Sequence, residues 1–189
     1  MNLSNDLYHI SITKEAEHDP TPSIDTRLYD LVLDPYGYID AEFRTVFLII
    51  VKSFQSRTRI GLVGSFFSNP DHCAVLDGAN LIVLMNDIIV HIHLESMEII
   101  SHKEIGDTPY FALYLIHKGY IVHGELEILR LDNAFNRIWD FRGSDIFVTQ
   151  DATHEPIIIA KDQILLEDWN GIRYALDMDG KLIWDTYKR

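Results

Sequence analysis

Two histidines, His91 and His93, stand one residue apart, with Glu95 and Glu98 close behind. In an extended strand residues i and i+2 project to the same face, so both imidazoles and the Glu95 carboxylate would share one side. Two imidazoles and a carboxylate with open positions suit non-haem iron, and three such ligands also suit zinc. The plainer reading, which the rest of the sequence favours, places the two histidines on the exposed face of an amphipathic strand with Ile92 inward.

His91-Ile92-His93 followed by Glu98 resembles the first metal motif of cupins, in which a double-stranded β-barrel holds iron, manganese or another metal. The resemblance implies a metalloenzyme with a divalent metal on His91, His93 and Glu98. The sequence departs from that pattern at Met85, where a glycine is expected upstream, and at Gly106, which comes one residue late. No Pro-x-Gly…His motif follows, and neither His117 nor His123 has the expected neighbours.

Other reactive residues read as framework. Cys73 directly follows His72, and adjacent strand residues face opposite ways, so the pair is poorly placed for a thiolate–imidazolium arrangement. Gly61-Leu62-Val63-Gly64-Ser65 lacks the lysine of a phosphate loop and suits a bulge or close backbone approach. Asp177-Met178-Asp179-Gly180 reads as a hairpin turn, since a calcium loop would need its terminal glutamate. Asp140 and Asp185 each follow a tryptophan, and recurrence points to a structural bond to a neighbouring turn. Glu125 and Glu127 alternate with Leu126 and Ile128, as on an amphipathic strand. Tyrosine favours interfaces, where its body is apolar and its tip wet, so Tyr36, Tyr38 and Tyr110 are candidate interface residues, with Phe66 and Phe67 in the same class.

The elements that must position these residues are strands. Residues 157–160, 163–168, 172–177 and 181–187 read as four in a row, joined at Asn170-Gly171 and at Asp179-Gly180. Asn-Gly predicts a type I′ turn, whose two central residues need positive φ. Residues 73–76, 81–84, 88–94 and 98–102 form a similar unit, as do 110–116, 120–123, 125–131 and 137–142. Leu131-Asp132 and Leu176-Asp177 lie 45 residues apart, as do Ile138-Trp139-Asp140 and Ile183-Trp184-Asp185. A four-strand meander cannot bury both faces alone, so neighbours must stack, and Trp139 and Trp184 suit that interface.

Tyr174-Ala175-Leu176-Asp177 and Gly180-Lys181-Leu182-Ile183-Trp184 resemble the blades of pyrroloquinoline-quinone-type and WD-type β-propellers. The predicted class is therefore all-β: antiparallel four-strand meander repeats in a small or incomplete propeller-like array, or a sandwich-like one. Residues 1–189 are expected to form a single domain. Residues 1–70 would be an N-terminal β segment or cap, and 73–103, 110–142 and 157–187 the blade-like repeats. In the first part, Tyr8, Ile10 and Ile12 alternate, 28–33 is a short strand, and the apolar run 46–51 predicts burial on both faces.

Of 189 residues, 47% are hydrophobic, and the net charge is −13. That charge disfavours nucleic acid, whose binding rests on Lys/Arg contacts, and suits a basic protein partner. With one cysteine, no basic-apolar leader at the start and no long apolar run, the chain is expected to be cytoplasmic and not membrane-bound. Two functions follow. The favoured one is a non-enzymatic acidic β-scaffold that binds a protein partner and needs no cofactor. An immunity-type protein that neutralises a basic bacterial toxin would fit that description. The alternative is the cupin-like metalloenzyme. Open edge strands would also allow a homodimer.

Overall fold

The computed structural model describes residues 1–14, 28–37, 45–64, 72–150 and 154–187. It falls into two compact units, Met1–Gly106 and Asp107–Arg189. Among the described residues there is no α-helix, and no helix long and apolar enough to cross a membrane.

In the first unit β1 (Asn2–Ser4), β2 (His9–Lys14), β3 (Leu31–Leu33), β4 (Thr45–Lys52) and β5 (Arg57–Gly64) form a five-stranded sheet ordered β1-β2-β4-β5-β3. β3 runs parallel to β5, and the other pairs are antiparallel. Then β6 (Ala74–Asp77), β7 (Asn80–Met85), β8 (Ile88–His93) and β9 (Glu98–Glu104) form a four-strand meander. Alternation decides the core: Ile10, Ile12, Phe47, Ile49, Val51, Ile60 and Leu62 of the first sheet pack with Leu81, Val83, Met85, Val90 and Ile92 of the second. The expectation of burial on both faces of 46–51 is corrected. Phe47, Ile49 and Val51 are buried, while Val46, Leu48 and Ile50 are half-buried, because the second face of this sheet is only partly covered. Gly61 does permit a close approach: a Cβ there would lie 2.9 Å from the Tyr29 ring.

The second unit holds two four-strand meanders. One contains β10 (Tyr110–Ile116), β11 (Gly119–Gly124), β12 (Ile128–Leu131) and β13 (Arg137–Phe141). The other contains β14 (Ile157–Ile159), β15 (Gln163–Glu167), β16 (Arg173–Asp177) and β17 (Leu182–Asp185). Ile121, Ile128, Phe147, Ile157, Ile164, Leu166, Tyr174 and Leu176 form their common core. The 45-residue repeat is exact in register. Arg130 pairs with Trp139 and Ala175 with Trp184, and each ladder slips at the next position, Leu131 or Leu176.

One turn design recurs three times. In residues 132–136, 168–172 and 177–181 the leading aspartate Oδ1 accepts N–H bonds from the third and fifth residues, all at 2.8–3.0 Å. The fourth residue has positive φ: Phe135 at 60°, Gly171 at 74° and Gly180 at 80°. The type I′ expectation at Asn170-Gly171 is thereby corrected. Asn170 has no positive φ, because Asp168 leads a longer turn in which an aspartate replaces backbone partners. The recurring structural aspartates are these leaders. Asp140 instead pairs with Arg137 at 3.6 Å, and Asp185 accepts from the Tyr187 N–H at 3.1 Å.

Candidate interaction surface

β8 brings His91 and His93 to one face, with Ile92 fully buried on the other. Both rings are half-buried and already engaged. His91 Nε2 lies 2.8 Å from Asn80 Oδ1, and since that oxygen only accepts, the nitrogen donates. Burial, and then the neighbouring His93, lower its pKa, so the ring stays neutral at physiological pH. His93 Nδ1 faces Ser96 Oγ at 3.2 Å and its N–H at 3.5 Å, organising the β8–β9 turn much as aspartate organises the three turns above. Glu98 sits opposite His93 in the register and is exposed. Among the described residues no three His, Cys, Asp or Glu side chains are grouped to hold a metal ion. The barrel implied by the cupin resemblance is overturned by topology: each four-strand sheet is a meander of consecutive strands, whereas that barrel needs Greek-key crossovers.

The tyrosines separate. Tyr110, read as an interface residue, is corrected to a core residue at 1% exposure, because its hydroxyl donates to a buried Glu127 carboxylate at 2.5 Å. Tyr36 is half-buried, packed against the first unit's core and edge-on to His102 with centroids 4.7 Å apart. Tyr38, Phe66 and Phe67 lie outside the described residues. Cys73 is fully buried, as a small core residue.

Two buried carboxylates escaped the sequence reading. Residues 125–127 precede β12 rather than extend it, and Gly124 N–H donates to Glu127 O, which turns the Glu127 side chain inward. There it meets Tyr110, Arg142 at 3.0 Å and Arg137 at 3.6 Å. Burial pushes the Glu127 carboxyl up, but the Tyr110 bond and the two guanidiniums outweigh it and hold it below the usual range. Burial and the same bond push the Tyr110 phenol well up. Asp168, 1% exposed, accepts from Tyr174 Oη and Ser144 Oγ at 2.7 Å each, besides its own turn amides. Burial again pushes its carboxyl up, and these donors bring it below the usual range. Both acids are saturated by framework donors. The only available signal for them was Asp168 standing before Asn170-Gly171.

One group of exposed apolar side chains lies at one end of the first sheet. Ser4 pairs with His9, His9 with Lys52, and Lys52 with Arg57, so turns 5–8 and 53–56 are neighbours. Asn5 Oδ1 accepts from Leu7 and Tyr8 N–H at 2.9 Å each, and Asn5 Nδ2 donates to Gly78 O at 2.8 Å. Ser53 Oγ accepts from Gln55 and Ser56 N–H, and Ser53 N–H donates to Ser56 O. These fixed turns hold out Leu7 at 57% and Phe54 at 106% exposure. Asp6 is exposed in the first turn, and Asp77 at the end of β6, just before the turn that Asn5 ties down; Lys52 and Arg57 flank the second turn. The signals were faint: a lone phenylalanine in a polar turn, and an Asn with no glycine after it.

No family model matches the chain. No curated protein sequence matches it either. Among solved structures, BamB from Moraxella catarrhalis matches with a TM-score of 0.51 and 9% identity, over 77% of this chain and 49% of that one. The computationally designed Ika8 protein matches with a TM-score of 0.53 and 9% identity, over 76% and 46%. The chain thus spans about half the length of these structures. BamB has a β-propeller fold, and the four-strand sheets here are propeller-type blades, as the repeat resemblance implied.

Proposed function

We propose that this propeller-type chain is a non-enzymatic scaffold that binds a protein partner through the end of its first sheet. The observation that carries the reading is the pair of adjacent, hydrogen-bonded turns that hold Leu7 and Phe54 out to solvent. A large apolar side chain on a pre-ordered turn loses little entropy on binding, which is what an interface anchor needs. The net charge of −13 supports a basic partner, whose approach it would steer. An immunity-type role, in which the acidic chain covers a basic toxin, is the specific form proposed.

The test is affinity capture with the full chain, at low and high salt, against Phe54→Ser and Leu7→Ser. The expected result is a basic protein retained by the wild type, weakened by salt and lost with Phe54→Ser. Fold stability should change by less than about 0.5 kcal/mol, since both residues are exposed. Identical capture by wild type and variants would sink the proposal.

A further inference from the structure

Among the described residues, the buried cation Arg130 on β12 is bonded by carbonyls alone. It is 8% exposed. Its Nη1 donates to Tyr120 O and Leu131 O, and its Nη2 to His117 O at 3.0 Å and Lys118 O at 2.8 Å. Those bonds occupy the four terminal N–H groups of the guanidinium and leave Nε–H over. Asp132 attracts Arg130 through space, but both oxygens of that carboxylate serve their own turn. Carbonyl dipoles thus fix the guanidinium without neutralising it, and a buried charge with no counter-ion in contact is costly. The blade pattern does not ask for this arginine. Arg130 stands opposite Trp139, whereas Ala175 holds the equivalent place opposite Trp184.

Arg130 lines a cleft of about 440 Å³ between the two sheets of the second unit. Ile116, Ile138, Trp139, Ile159 and Met178 supply its apolar walls. His117, Lys161 and Asp179 stand exposed beside them. The walls are tied together, since Trp139 Nε1 of one sheet donates to Met178 O of the other at 3.2 Å. Small-molecule sites take this form, with apolar walls, a few placed polar groups and roughly 300–1,000 Å³ of space.

We propose that this cleft binds a small apolar monocarboxylate, its carboxylate between Arg130 and Lys161 and its hydrocarbon body on Ile138 and Trp139. Charge sets the ligand class. Arg130 and Lys161 face one lining acid, Asp179, so a single negative charge balances the site. A phosphate monoester would bring about two. The carboxylate accepts from Arg130 Nε–H and the Lys161 ammonium in charge-assisted bonds, the stronger kind. Elsewhere on a chain of net charge −13 an anion is repelled, so uptake of an anion reports this cleft.

Ligand-observed NMR titration of the full chain with phenylacetate, and with phenylacetamide as its neutral match, tests this. The expected result is one site for phenylacetate with a dissociation constant of about 1 mM or tighter, and binding of the amide at least about 10-fold weaker. Lys161→Gln and Ile138→Glu alter exposed residues of the cleft, and each should weaken phenylacetate on the order of 10-fold. Ile158→Glu is the control. It adds the same charge as Ile138→Glu at a position 57% exposed against 56%, outside the cleft, and should bind as the wild type does. Arg130 itself stays in place, because its bonds to His117 O and Lys118 O tie the β10–β11 turn to β12. Circular dichroism matching the wild type shows that the variants fold. No binding of phenylacetate up to about 10 mM overturns the proposal, as does an amide that binds equally well. So do cleft variants that bind like the wild type, or an Ile158→Glu variant weakened as much as Ile138→Glu.

Discussion

Asp168 and Glu127 show what donors can make of a buried carboxylate. Each is a buried carboxylate whose burial cost is outweighed by donors, so each has a folded pKa below its unfolded one. Such a group contributes stability above the ordinary carboxylate pKa, and that contribution is lost as pH falls through the depressed folded value. Asp168→Asn should therefore cost about 3 kcal/mol near neutrality, because its charged bonds to Tyr174 and Ser144 go. The deficit should shrink steadily on acidification. Urea unfolding of wild type and variant across the acid range checks both points, and a pH-independent deficit would contradict the linkage. His91 and His93 are spoken for in a different way, by Asn80 and by the β8–β9 turn. Elemental mass spectrometry of untagged wild type and His91→Ala should accordingly return equal metal content. One metal per chain, lost with His91, would restore the metalloenzyme reading.

At the scale of the element, the Asp-led turn sets the geometry of the second unit, and its fourth position separates strain from packing. Gly171 and Gly180 both have positive φ, but a Cβ on Gly171 would meet nothing within 4 Å. On Gly180 it would lie 2.5 Å from Trp139 Cδ2. Gly171→Ala should thus cost only the left-handed strain of about 1 kcal/mol. Gly180→Ala should cost roughly 2 kcal/mol more, since ring and turn must part. Chemical denaturation of the pair measures the difference directly. Phe135 holds the same position at φ 60° although it is not glycine. Its side chain is 2% exposed and packs on Tyr120. Burying a phenylalanine outweighs the strain by about 2 kcal/mol or more, so Phe135→Gly should destabilise despite relaxing the backbone.

At the scale of the molecule, three of the four sheets are consecutive four-strand meanders, the blade form that the all-β prediction named. The fourth is irregular: β3 joins it in parallel, and its turns carry side-chain bonds from Asn5 and Ser53.

The strands and the repeat were legible in the residues because both are local signals. Alternation at Tyr8, Ile10 and Ile12, and the 45-residue offset that joins Trp139 to Trp184, depend only on neighbours along the chain. Tertiary structure decided what those signals leave open. Tyr110 and Glu127 are seventeen residues apart, and nothing in either stretch reveals that one buries the other. Trp139 and Trp184 carry the same motif, yet Trp139 donates to Met178 O in the turn of the following sheet while Trp184 is 44% exposed. Leu7 and Phe54 become one surface only through the pairing of His9 with Lys52. Sequence periodicity fixes which face a side chain takes; what stands opposite that face is set by pairing between distant segments, which leaves no periodic trace.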